Sequence, residues 1–305
     1  MVTPLIYKIA QLMVMVAIGF IVVKSKLVKS GDSMVLSKVS LYVFVPAIIV
    51  NAFNKEINAE VMSGLALALL AAVIIHGALL LVDYFFSNKL FHGSAVERAS
   101  IMYSNSGNLI IPIVAYVLGN EWVIYSCVYL IVALVLTWTH EVRLFNKNEK
   151  FNIKKILLNV NMITIFFCFA IVIFGIKLPE FCYEIANDLG ACLAPASMLV
   201  AGMLAADIDF KKALRNKRLI VPVFGRLVLC PIVILLLLKA LMYFINMPNE
   251  SEILLISFLA SITPCAMTVI QMAQVYGDDV DYAVVINFAT TVLCILTMPI
   301  FVALF

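Results

Sequence analysis

The sequence predicts an all-α polytopic membrane protein with ten transmembrane helices. Three observations carry that prediction. Hydrophobic residues make up 64% of the 305-residue chain and charged residues only 13%, with a mean hydropathy of +1.10. A water-soluble domain of this size needs more charge than that to cover its surface. Ten apolar runs approach the ~20 residues that a helix needs to cross a bilayer. Finally, the basic residues gather in alternate connections between those runs.

The runs lie at roughly 5–23, 33–53, 61–86, 99–118, 122–140, 156–176, 189–206, 219–245, 253–276 and 282–305. The first follows "MVTPLIY" directly. That stretch lacks the charged n-region and small-residue cleavage site of a signal peptide, so no cleavage is expected. The second carries Pro46-Ala47 at its centre and Lys38 near its start, where a lysine snorkels to the surface. The third is longer than needed and holds His76 past its middle and Asp83 near its end, where a solvated carboxylate is expected. Trp122 and Trp138 bracket the fifth, roughly 24 Å apart along a helix, as interfacial anchors do. The seventh repeats a central Pro-Ala at Pro195-Ala196. Arg226 lies about two turns into the eighth. It reads either as a partner for an anionic ligand or gating carboxylate, or as a side chain snorkelling to the basic surface.

Of 21 basic residues, fifteen fall in four connections: Lys24 to Lys29, Lys89 to Arg98, Arg143 to Lys155, and Lys211 to Arg218. The positive-inside rule makes these cytoplasmic, so both termini of a multi-pass chain in the cell membrane are expected outside the cytoplasm. The longest connection, 141–155, is expected to be a solvated cytoplasmic linker. It divides the chain into a first five-helix unit, 1–140, and a second, 156–305. Two homologous units of five spans must sit in opposite orientations, which makes an inverted repeat.

Spans four and nine support the repeat. "IPIVAYVLGNE" and "VIQMAQVYGDD" align Ala115 with Ala273 and Gly119 with Gly277. The same offset sets Asn105-Ser106-Gly107 opposite Thr263-Pro264-Cys265. Both stretches oppose regular helix: Gly107 by flexibility, Pro112 and Pro264 by their missing N–H. Unwound backbone is tolerated at membrane depth only inside protein or along a wet cavity. Two such breaks in antiparallel helices are therefore expected to cross. They would offer half-helix N-termini, with free N–H groups and partial positive charge, to a small carboxylate. Ser104, Asn105, Ser106, Asn108 and Thr263 add neutral hydrogen bonds, and Asn51, Gln271 and Arg226 complete the candidate substrate contacts. Gly107, Pro112 and Pro264 are the candidate hinges.

No Asp or Glu lies in the middle third of any span, so proton coupling, if present, is expected to run through His76. The neutral oxygens and broken-helix carbonyls suit sodium instead, and uncoupled or sodium-linked movement of an anion is the favoured expectation. The seven Cys show no C-x-x-C pair and sit mostly in apolar spans as packing residues. No Walker sequence, Gly-x-Ser-x-Gly elbow or metal-ligand cluster occurs, so no enzyme, metal or other cofactor is expected, and no nucleic-acid partner.

The whole chain resembles the auxin efflux carrier family, which includes plant PIN carriers and bacterial organic-acid permeases. The sharpest likeness lies in "NSGNLIIP" (Asn105–Pro112) and "TPCAMTVIQMAQVYGDD" (Thr263–Asp279), with "LYVFVPAII" in span two and Pro299 in span ten. The resemblance implies a homodimer with a scaffold of helices 1, 2, 6 and 7 and an elevator-like transport domain of helices 3–5 and 8–10. It implies organic-anion substrates such as indole carboxylates or dicarboxylates, with Asn105, Pro112 and Pro264 at the crossover. Ile110 stands where many bacterial relatives carry Gly, and the long cytoplasmic loop of many plant members is absent. A sodium-coupled bile-acid-type carrier and a metabolite receptor that does not transport are the alternative functions.

Overall fold

The computed structural model describes residues 2–54, 58–148, 153–176, 178–208 and 216–305. Lys55, Lys150, Lys177, Asp209, Lys211, Lys212 and Arg215 lie outside the described residues. Every regular element among those described is helical. Six helices are long and apolar enough to cross a membrane: α2 (Ser30–Ala52), α3 (Ala59–Leu90), α6 (Asn120–Phe145), α8 (Glu180–Ala205), α9 (Lys217–Phe244) and α12 (Val280–Leu304). Two further apolar helices are α1 (Val2–Lys24) and α7 (Val160–Ile173). The predicted fourth and ninth spans are each interrupted. The fourth gives α4 (Ala95–Met102) and α5 (Ile111–Val117), the ninth α10 (Glu250–Ser261) and α11 (Met267–Tyr276).

Proline shapes several of these helices. Pro46, Pro112 and Pro231 each follow, after one intervening residue, a wide π-helical turn, at Ser40–Phe44, Ser106–Ile110 and Gly225–Leu229. The ring has no N–H and crowds the carbonyl four residues back, so the preceding turn opens to longer-range bonding. Two more π-helical turns, Asp83–Leu90 and Thr137–Glu141, contain no proline. Asp83, Glu141 and Arg226, three deeply buried charged residues, all sit in such turns.

Small residues decide how closely the helices approach. At Gly202 a Cβ would strike the carbonyl oxygen of Val16, and at Gly19 it would strike that of Leu199. These paired glycines let α1 and α8 lie backbone to backbone, the usual way helices pack where lipid removes the hydrophobic drive. Helix α2 packs on α7 and α8, with Phe53 set edge-on to Phe169 at 4.9 Å. Elsewhere α3 packs on α6 and α10, and α9 on α10 and α12.

Two expectations are corrected here. Helix α6 runs on to Phe145, so Glu141 is fully buried rather than part of a solvated linker. Asp83 is likewise buried, because Arg98 clamps both its oxygens at 2.9 and 2.6 Å and His140 approaches at 3.5 Å. Sequence hydropathy could not find these partners, which arrive from α4 and α6.

The start of α4 is fixed by a reciprocal cap. Ser94 Oγ accepts the Glu97 N–H at 3.2 Å, and Glu97 Oε2 accepts the Ser94 N–H at 2.9 Å. Glu97 also accepts from Arg218 Nε at 2.9 Å and from the Tyr282 hydroxyl at 3.1 Å, tying α4 to α9 and α12. Burial alone pushes the Glu97 carboxyl up. The bonds from Arg218, Ser94 and Tyr282 and the Arg218 charge outweigh this and hold it below the usual carboxylate range.

Candidate functional site

The two interruptions meet. Tyr103 leaves α4 in extended conformation (φ −92°, ψ 127°), and Ala266 enters α11 likewise (φ −66°, ψ 145°). Between them the backbones pair as one antiparallel bridge, Ser104 with Cys265. Asn105 N–H donates to the Pro264 carbonyl at 2.8 Å, and Ala266 N–H donates to the Tyr103 carbonyl at 3.0 Å. The extended residues lie upstream of Gly107, which instead falls inside the π-helical turn Ser106–Ile110, where a Cβ would meet only Leu130 at 3.7 Å. Pro112 is buried in the first turn of α5. The break thus arises from strand-like pairing with the partner segment, a contact between residues 161 positions apart.

Five other carbonyls of the paired segments and their flanks have side-chain donors. Arg226, fully buried in α9, reaches both breaks. Its Nε donates to Thr263 O at 2.9 Å, and one terminal nitrogen donates to Ile101 O at 3.1 Å and Met102 O at 3.3 Å. The other terminal nitrogen donates to Ser261 O. Asn287 Nδ2 donates to Cys265 O at 2.7 Å, and Cys265 N–H reaches Thr290 Oγ at 3.2 Å. A guanidinium at the C-terminal ends of two half-helices meets their negative dipole ends.

This corrects both readings of Arg226. It does not snorkel, and its guanidinium faces backbone carbonyls rather than the cavity. Thr263 is corrected with it: its hydroxyl donates to Ala260 O at 3.1 Å in the last turn of α10, and it does not line the cavity. Asn51 lies apart, donating to Asn187 Oδ1 of α8 at 3.2 Å.

A cavity of about 150 Å³ opens beside the bridge. That is room for several waters or a small ligand group. Of the predicted residues, Ser104, Asn105, Ser106, Gly107, Pro264, Gln271 and His76 line it. The Asn108 side chain lies outside the described residues. His76 has its Nδ1 2.8 Å from Ala72 O and its ring 4.7 Å from that of Tyr129, whose hydroxyl is 3.5 Å from Ser104 Oγ.

Other lining residues escaped the sequence reading. Asn161 of α7 and Ser197 of α8 line the cavity, and Asn161 Oδ1 and Ser197 Oγ are buried without a hydrogen-bond partner among the described residues. Such orphaned groups call for a water or ligand. Thr268, at the start of α11, lines the cavity and donates to the buried Glu141 carboxyl at 3.0 Å. A polar residue in a membrane helix was the available signal for Asn161, Ser197 and Thr268, but such residues more often join helices together.

The result is asymmetric. The carbonyl ends of the half-helices are capped by a buried cation, while the first turns of the other halves, from Ser106 and Met267, begin at the cavity. N–H groups in a helix's first turn have no intrahelical acceptor. No carboxylate pairs with Arg226 among the described residues. The two first turns therefore present N–H groups to an acceptor in the cavity.

Comparison with known proteins agrees with this architecture. A family model described as membrane transport protein matches residues 4–302, which takes in both breaks and all but the last two residues of the six membrane-capable helices. No curated protein matches the chain. The chain is therefore a multi-pass membrane protein of the transport class, and it belongs to the auxin efflux carrier family.

Proposed function

We propose that the protein is a secondary carrier of small organic anions, working by alternating access around the paired breaks. The observation that carries this reading is the cavity at the bridge, lined by Ser104, Asn105, Ser106 and Gln271 and facing two half-helix N-termini. Neutral hydrogen bonds and helix dipoles hold a carboxylate without a permanent salt bridge, which allows release as well as capture.

The ten-span inverted repeat is part of the proposal. In this reading the six membrane-capable helices, the two further apolar ones and the two interrupted ones account for ten crossings. Pairing of the first helix of one half with the second of the other recurs: α1 packs on α8, and α7 packs on α2. That reciprocity is what a pseudo-two-fold axis in the membrane plane produces. The helices α1, α2, α7 and α8 form the scaffold of this scheme, through which two copies dimerise, and the rest form the moving unit. The cavity lies where the two groups face each other. Its lining on α2, α6, α7 and α8 falls between the breaks and the ends joined to basic connections, so this conformation faces the cytoplasm.

Purified protein in proteoliposomes, loaded with a panel of mono- and dicarboxylates including malate and indole-3-acetate, tests the function by counterflow. Saturable exchange of at least one anion supports the carrier. Tight binding with no exchange in any pairing would instead make the protein a receptor.

A further inference from the structure

Exposed carbonyls and half-helix C-termini in broken membrane helices commonly coordinate the coupling sodium of secondary carriers. Here the sequence offers such carbonyls at two breaks, yet the residues present do not fit a sodium ion. The carbonyls of Ile101, Met102, Ser261 and Thr263 already converge on Arg226. Those of Tyr103 and Pro264 accept backbone N–H groups across the bridge, and that of Cys265 accepts Asn287 Nδ2. The Thr263 hydroxyl donates to Ala260 O in the last turn of α10. The polar atoms that remain beside the cavity are first-turn amide N–H groups and neutral hydroxyl and amide side chains, and no carboxylate is among the lining residues to hold a cation by charge.

We propose that Arg226 is a built-in counter-cation, occupying the place of a coupling sodium ion, so that the carrier moves its anion without sodium. The inference rests on the carrier reading for the word coupling, but the cation's place is set by geometry alone. A guanidinium holds five donors in a planar fork, and four carbonyls from two chain segments match that fork better than they match a single point charge. Burying a lone charge costs several kcal/mol unless hydrogen bonds compensate. Complete burial of Arg226, with no carboxylate partner among the described residues, means that the two breaks themselves supply the compensation. The same side chain joins α9 to α4 and α10. The positive charge therefore stays beside the anion site through any motion that keeps these three helices together.

Arg226 is a positioning residue in this scheme, since it touches neither the cavity nor a ligand within it. Its test separates cation replacement from simple structural support. Thermal unfolding of detergent-purified protein is measured in sodium, potassium or choline chloride at equal ionic strength. A site-specific cation must stabilise the folded state that binds it. The wild type is expected to unfold at the same temperature in all three salts. Arg226→Ala is expected to unfold earlier, and about half or more of that loss is expected to return with guanidinium below denaturing concentration, or with sodium, but not with choline. Arg226→Lys, which keeps a charge without the fork, is expected to lie between the two and to stay indifferent to sodium. Specific stabilisation of the wild type by sodium would overturn the proposal even if neither variant folds. So would a folded Arg226→Ala that neither cation rescues. Sodium replacement in the counterflow assay adds the coupled reading. Exchange that needs sodium refutes the proposal and leaves the carrier intact, whereas absence of any exchange refutes the carrier and leaves the unfolding result to judge Arg226.

Discussion

Asn105→Ala isolates the candidate site from the fold around it. The Asn105 N–H holds the bridge by donating to Pro264 O at 2.8 Å, and alanine keeps that group. The side chain caps no helix turn and lines the cavity, so its removal leaves the paired breaks intact. What is lost is a hydrogen bond to a charged ligand, worth about 1.5–3 kcal/mol. At about 1.4 kcal/mol per tenfold, affinity should fall by roughly ten- to a hundredfold. Thr263→Val is the control. Its hydroxyl is engaged at 3.1 Å with Ala260 O and does not line the cavity, so affinity should stay within about twofold. Titration calorimetry, with the tightest anion from the exchange panel, measures both, and thermal unfolding confirms that each variant is folded. Wild-type affinity in folded Asn105→Ala would refute the site. So would a Thr263→Val loss as large as that of Asn105→Ala.

Four further outcomes are expected. On a Cys-free background, an impermeant thiol reagent outside intact cells should label a cysteine at Asn246 and spare one at Asn148; the reverse pattern would invert the topology. Gly202→Val should drive α1 from α8, because its Cβ strikes the Val16 carbonyl, and should destabilise by at least ~1–3 kcal/mol. Gly77→Ala, in open space on α3, should instead stabilise by up to ~1 kcal/mol, as thermal unfolding will register. Glu97 is held below its ordinary range, so as pH falls the unfolded chain takes up its proton first, near pH ~4.3. Its contribution is therefore complete above that pH and is lost as pH drops through the folded value. Wild type should lose thermal stability between neutral pH and acid more steeply than Glu97→Gln; parallel curves would show that the carboxylate contributes nothing.

The sequence by itself determined the membrane class, because an apolar fraction of 64% admits no soluble alternative. It also located the two interruptions, since Pro264 and the polar run Ser104 to Asn108 oppose lipid-facing helix whatever surrounds them. Family membership followed from the same stretches. Tertiary structure decided the rest, for reasons of reach. Gly107 looked like the hinge because flexibility is a local property. The helix breaks at Tyr103 to Asn105 instead, because their hydrogen-bond partners lie about half the chain away. Thr263 and Asn105 looked alike as polar residues at matched positions, but only the fold turns one back to the end of α10 and the other to the cavity. Asp83 and Glu141 fell near predicted helix ends, where solvation was the natural assumption. Arg98 and Thr268, brought in by other helices, make their burial tolerable. Arg226 shows the limit most plainly. Its sequence neighbours are apolar on both sides, so its setting gave only a choice between ligand and lipid surface. Its partners are four backbone carbonyls, which belong to no residue type and leave no trace in the sequence.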